Sequence, residues 1–213
     1  MKVALIGATG FVGSHLLEEL VNRGYDVTAL ARSVEKIPVK NGKPKTVAID
    51  VTDTKALAEA IKGNDIVLSA FNAGWSNPNI YNDFMKGSQA IENAVKAAGV
   101  KRYVVVGGAG SLFIDGKQIV DAPDFPSQFK DGATAARDYL NILLKEAELD
   151  WTFVSPALDM YPGKRTGKYR LGTESPVFND KGDSVISVQD LAVAIVDELE
   201  NHKFSRQRFT AGY

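Results

Sequence analysis

The feature that most constrains this chain is its opening. Val3-Ala4-Leu5-Ile6 runs straight into Gly7, and Gly10 and Gly13 follow at three-residue spacing. An unbroken apolar run ending on glycine suits a strand buried on both faces of a parallel sheet. From Val12 the apolar positions Leu16, Leu17, Leu20 and Val21 recur close to a 3.6 period, so a helix follows the glycines. Gly24 stops it, and Asp26 to Leu30 reads as a second strand. Within that frame, G-x-x-G-x-x-G acquires a chemical meaning. Gly7 permits a tight reversal, Gly10 leaves the backbone bare for a pyrophosphate, and Gly13 lets the helix lie near the sheet. The helix N-terminus then offers free N–H groups and a partial positive charge to the anion. Thr9, Phe11 and Val12 complete this expected phosphate-binding segment. The competing reading is a tight strand–helix turn that holds no ligand.

Arg32 stands at the end of the second strand, where NAD-preferring folds place an acid for the ribose 2′-hydroxyl. An arginine there suits a 2′-phosphate, which its fork can grip at two points. Ser33 and Lys36 are placed to assist. NADP(H) is therefore favoured over NAD(H), against the alternative of a solvated surface arginine.

Further strand–helix units follow. Residues 33–45 are polar and read as a short helix and loop; Thr46 to Val51 is a third strand. Asp50, with Val51 beside it, falls at the expected adenine position, and a helix-cap or turn role for Asp50 fits equally well. A helix over Thr54–Lys62 leads to a fourth strand, Asp65–Ser69. Ala70, Phe71 and Asn72 follow it and belong over the ligand, because ligands lie beyond the carboxyl ends of parallel strands. A long helix spans Ile80–Ala98, and Arg102–Val106 is a fifth strand. Gly107, Gly108 and Gly110 then invite close backbone approach, with Ser111 the one hydroxyl of that run. Residues 112–131 read as an irregular excursion of the kind that covers sites. A helix over Gly132–Leu149, a sixth strand over Asp150–Ser155, a final helix capped by Ser187 and a last strand over Phe204–Tyr213 complete the chain. Residues 157–187 change character, with glycines, prolines and strand-like pieces at 167–171 and 184–187, as a small substrate-side cap would. The whole reads as a single α/β domain over 1–213, a doubly wound parallel sheet of the Rossmann kind.

The totals narrow the partners. A net charge of −1 gives no reason to expect nucleic acid or an acidic membrane surface. There is no cysteine, which removes disulfides, thiol catalysis and Cys-type metal sites. The scattered acids lack metal-ligand spacing, and no run approaches the ~20 apolar residues of a membrane span. Met1 leads directly into the first strand, leaving no room for a leader. A cytoplasmic monomer or homodimer acting on a small molecule is expected.

Gly7 to Gly13, Arg32 and Asp50-Val51 together resemble the atypical short-chain dehydrogenase/reductases with an NAD(P)H-binding, NmrA-like domain. Residues 150–157, Pro162 to Arg170 and Gln207 to Thr210 are similar to the bacterial NADH-flavin reductase branch, which is akin to the biliverdin reductase B/flavin reductase type. The likeness spans essentially the whole chain. It implies a dinucleotide at the first turn, Arg32 on the 2′-phosphate, and the backbone of Ser155, Pro156 and Ala157 facing the nicotinamide.

The reductases of the wider superfamily use Tyr-x-x-x-Lys, in which the lysine lowers the pKa of a proton-donating tyrosine. Here Tyr139 is followed four residues later by Leu143, Tyr103 by Gly107 and Tyr161 by Arg165. Carbonyl reduction needs a positioned acid, whereas a flavin accepts hydride into a delocalised ring that water can protonate. The missing pair favours a flavin or similar planar acceptor. Ser111 is the candidate catalytic hydrogen-bond donor, with loop capping as its alternative. Trp75, Phe113, Tyr161 and Tyr169 are candidates to stack on an acceptor ring, or else ordinary packing. Two other readings stand beside the reductase: a non-catalytic redox sensor, and a sugar-nucleotide epimerase or dehydratase.

Overall fold

The structure is a computed structural model that describes residues 1–38, 42 and 44–213. The elements run β1 (Lys2–Ile6), α1 (Phe11–Asn22), β2 (Asp26–Ala31), β3 (Lys45–Ala48), α2 (Thr54–Ile61), β4 (Ile66–Ser69), α3 (Ile80–Ala97) and β5 (Arg102–Val106). They continue with β6 (Phe113–Ile114), β7 (Lys117–Gln118), α4 (Ser127–Leu143), β8 (Asp150–Val154), β9 (Asp159–Tyr161), β10 (Arg170–Gly172), β11 (Val185–Ser187), α5 (Val188–Asn201) and β12 (Gln207–Gly212). One eight-stranded sheet has the order β10-β12-β8-β5-β4-β1-β2-β3. Its pairs are parallel except that β10 runs antiparallel to β12. The expected doubly wound sheet is present.

The apolar runs are explained by burial on two sides. Val3 and Leu5 face a core shared with Leu16, Leu17 and Leu20 of α1 and Leu191 and Ile195 of α5. Ala4 and Ile6 face the opposite core, shared with Leu57 of α2, Phe84 of α3 and Tyr139 of α4. A strand whose alternate residues both meet helices has no polar face to show.

Several boundaries differ from expectation. β3 ends at Ala48, which leaves Asp50 and Val51 in the following turn. The loop expected over 33–45 contains a 3₁₀ turn at Val34–Lys36, and its residues 39–41 and 43 lie outside the described residues. α4 begins at Ser127 and ends at Leu143, several residues before both expected limits, so the excursion is shorter than 112–131. That excursion holds the β6–β7 hairpin.

The segment 157–187 is tied into the domain: β10 joins the main sheet, while β9 and β11 form their own parallel pair. Arg165 grips Glu19 of α1 at two points, 2.7 and 2.8 Å. The Asp190 carboxylate of α5 accepts from the Thr166 and Gly167 N–H groups and from the Thr166 and Tyr213 hydroxyls. Among the described residues no helix is long and apolar enough to cross a membrane.

Candidate functional site

The strand order reverses between β1 and β4: the chain leaves β1 toward β2 and β3, then returns to place β4 on the other side. At this switch point the loops following β1 and β4 part and leave a crevice. A cleft of about 330 Å³ opens there, lined by the turns after all four of the first strands. Gly7, Thr9 and Gly10 come from the first turn, Arg32 from the second, Asp50 and Val51 from the third, and Ala70, Phe71 and Asn72 from the fourth. Nine of the expected residues thus meet in one place.

The first turn is held tightly. Gly7 N–H donates to Leu30 O at 3.0 Å, and Ala70 N–H donates to Ile6 O at 2.9 Å. Gly7 has φ +82°, and a Cβ there would lie 2.6 Å from Ala70 O. A Cβ on Gly13 would lie 2.0 Å from Gly7 O, so glycine is what lets α1 come so near the strand end. Gly10 is different: its Cβ would meet only Gly7 O at 3.4 Å, and its φ of −77° suits any residue. Packing does not demand glycine at this position, but a ligand resting on the backbone would. No side chain caps α1, and its first turn carries no acid. Phe11, Val12 and Gly13 form that first turn, adjoining the cleft without lining it. A bare helix N-terminus behind a bare glycine fits a pyrophosphate.

Arg32 is exposed, and among the described residues nothing accepts from its guanidinium. Asp50 Oδ1 takes the Thr52 N–H at 2.9 Å and the Thr52 hydroxyl at 2.7 Å. These two bonds, with the Arg32 and Lys86 charges behind them, hold the Asp50 carboxyl below the usual carboxylate range despite slight burial. The turn role anticipated as an alternative is therefore real, and Asp53, not Asp50, caps α2. Oδ2 of Asp50 takes no hydrogen bond among the described residues.

Phe71 forms part of the cleft wall by lying flat on Phe84, ring centroids 5.9 Å apart and planes inclined by 25°. The same ring seats over Gly87 in the middle of α3, where a Cβ would come within 2.4 Å of it. Lys86, the preceding residue, also lines the cleft, as do Asn77 and Asp83. Sequence reasoning missed these three, because single polar residues on an amphipathic helix and its approach read as a solvated face.

The other expected residues lie further along the sheet, after β5 and β8, and do not line the cleft. Gly107 is glycine for packing: a Cβ would sit 1.9 Å from the Phe153 ring. Ser111 is 1% exposed; its Oγ donates to Gly108 O at 3.2 Å and lies 3.0 Å from Ser155 Oγ. Ser155, Pro156 and Ala157 are all buried. The aromatic candidates are also elsewhere. Trp75 stands edge-on to Phe129 at 5.3 Å, Phe113 lies under the Arg208 guanidinium at 5.6 Å, and the Tyr169 hydroxyl donates to Asp197. Tyr161 and Arg165 are no catalytic pair, since Arg165 is spent on Glu19.

Comparison with known proteins agrees with this geometry. The chain is 38% identical over 215 residues to the uncharacterised protein YwnB of Bacillus subtilis (strain 168), covering 99% of this chain and 97% of that one. A Bacteroides thetaiotaomicron structure provisionally described as an epimerase superposes with a TM-score of 0.92 at 48% identity, over 100% of this chain and 96% of that one. A Streptococcus pneumoniae structure provisionally described as an NADH-flavin reductase superposes with a TM-score of 0.87 at 37% identity, over 100% and 99%. The model of a family described as NAD(P)H-binding matches residues 7–202, from the first glycine of the turn to the end of α5, and the chain belongs to that family.

Proposed function

We propose that the protein is an NADPH-dependent oxidoreductase that reduces a flavin or a similar planar acceptor. The observation that carries this reading is the single cleft joining the bare Gly10 and α1 N-terminus to an Arg32 that no carboxylate claims. The Gly7–Gly13 turn holds the pyrophosphate through backbone N–H groups. Asp50 offers Oδ2 to the adenine amine, and Arg32 takes the 2′-phosphate. Ala70, Phe71 and Asn72 continue the binding surface beyond β4. Ser155, Pro156, Ala157 and Gly107 lie further along the same carboxyl edge of the sheet, and this reading takes the nicotinamide end toward them. Bound there, the reduced nicotinamide supplies the hydride.

The chain's own residues define what else the reaction needs. Ser111 Oγ is engaged with Gly108 O and Ser155 Oγ, so it polarises an acceptor only by exchanging one of those partners. No Tyr-x-x-x-Lys pair is present to protonate an alkoxide. Delivery to a delocalised ring that takes its proton from water fits this inventory. The Streptococcus pneumoniae neighbour's description supports a flavin as acceptor. A cysteine-free chain using NADPH suits the cytoplasm. The test is oxidation of NADPH followed by absorbance, with and without FMN, FAD, riboflavin or a quinone. Acceleration by one of these is expected. Tight binding of NADPH with no acceleration by any of them would leave the redox-sensor reading, which the sealed Ser111 favours.

A further inference from the structure

Among the described residues Lys86 is the one lysine lining the cleft. It stands on α3, an element separate from the strand turns, and its side chain is exposed. Several cations on or beside the helices are engaged, Lys96 with Glu92 and Glu146, Arg23 with Glu19 and Asp197, Arg137 with Asp121 and Asp138, though among the described residues Lys55 of α2 is not. Lys86 has no carboxylate within 4.0 Å among the described residues, and neither has Arg32. The acids that share the cleft are already occupied. Asp83 takes the amides of Asn77 and Asn79 at 2.8 and 3.0 Å, and Asp50 takes Thr52. Asp50 shares the cleft lining with both cations and feels the charge of each. The helix is drawn close at this point because Gly87 gives way to the Phe71 ring.

We propose that Lys86 and Arg32 form a two-cation site for the 2′-phosphate, so that preference for NADPH is set from α3 as well as from the end of β2. The proposal rests on the NADPH reading above. A phosphomonoester carries about −1.5 to −2 charges near neutral pH, more than one guanidinium neutralises. A lysine complements the arginine fork there: it is a point charge that needs no planar match.

The test is calorimetric binding of 2′,5′-ADP and 5′-AMP to the full-length protein and to Lys86→Met, Lys86→Arg, Arg32→Ala and the Lys86→Met/Arg32→Ala double variant. Melting midpoints without ligand check that each variant is folded. Lys86→Met is expected to weaken 2′,5′-ADP about tenfold and 5′-AMP less than about twofold, a modest effect for an exposed charged contact. Lys86→Arg retains most of the affinity, and the double variant binds the two ligands alike. An unchanged ratio in Lys86→Met, with the ratio collapsing in Arg32→Ala, would overturn the proposal and leave the NADPH reading standing. Equal loss of both ligands in Lys86→Met would also overturn it, because the lysine would then serve the base or the 5′-phosphate. A wild-type protein that binds the two ligands equally would retire both readings together.

Discussion

Gly10 and Gly13 are the same residue three positions apart, yet each is glycine for its own reason. A Cβ on Gly13 collides with the Gly7 carbonyl at 2.0 Å, whereas one on Gly10, a residue of the cleft lining, meets only that carbonyl, at 3.4 Å. Gly13→Ala should therefore cost about 2–3 kcal/mol of stability, as overpacking against backbone does, and lower the melting midpoint. Gly10→Ala should leave that midpoint within about 1 °C of wild type and weaken dinucleotide binding at least about tenfold. Thermal melts beside NADPH titrations separate the two; a Gly10→Ala protein that binds as wild type does would remove the pyrophosphate from this turn. Both glycines were legible in the sequence because strand, turn and helix gave them context. The packing reason for Gly107 was not legible: its bareness serves the Phe153 ring, and no local pattern reveals a partner 46 residues away. Lys86 was invisible for a related reason, since only the docking of α3 beside the strand turns turns a surface lysine into a cleft residue.

Among the elements, α3 shows how packing and the cleft depend on each other. Its mid-helix Gly87 forgoes up to about 1 kcal/mol of helix propensity relative to alanine. What it gains is the seat for Phe71, whose ring would be 2.4 Å from an added Cβ. In Gly87→Ala the two effects on stability oppose each other, so the melting midpoint should move little. The displaced ring should narrow the cleft and weaken NADPH binding several-fold, a split that calorimetry and melting curves together detect. The long periodic helices and apolar strands were readable along the chain. The limits of α4 were not: the expected helix began at Gly132, and the observed one begins at Ser127. Gly132 lies inside that helix instead, where a Cβ would press on Trp75 at 2.7 Å. Nor was β9 anticipated: three residues are too few for a period, and its partner β11 lies 26 positions on.

The whole molecule is tied by buried carboxylates that join distant parts of the chain. Burial alone would raise the carboxyls of Glu19, Asp190 and Glu146, but their partners overcome it. Arg165 and Arg23 lower Glu19; the Thr166 and Tyr213 hydroxyls and two N–H groups lower Asp190; Lys96 and the Glu148 and Leu149 N–H groups hold Glu146 at about 2. Each carboxyl is more acidic folded than unfolded. Its stabilisation is complete above the unfolded values of about 4 and disappears as pH falls through the folded ones. The melting midpoint should be level from about pH 7 to 5 and drop steeply between about pH 4 and 2. Asp190→Asn should lower it at neutral pH, flatten the acid limb, and speed amide exchange at Thr166 and Gly167; unchanged exchange would mean that the 163–169 segment is held by its other anchors, Arg165 on Glu19, Gly163 on Gln189 and Lys164 on Ser187.

The two ends of the eight-stranded sheet have a consequence for handling the protein. β10 at one end has three residues, and the guanidinium of its own Arg170 donates to the carbonyls of Phe178 and Tyr213. β3 at the other end has four and starts on an exposed lysine. Neither rim is a long apolar template on which further chains could stack. Concentrated solutions should accordingly show light scattering that stays constant over days, with none of the progressive growth that fibre formation brings.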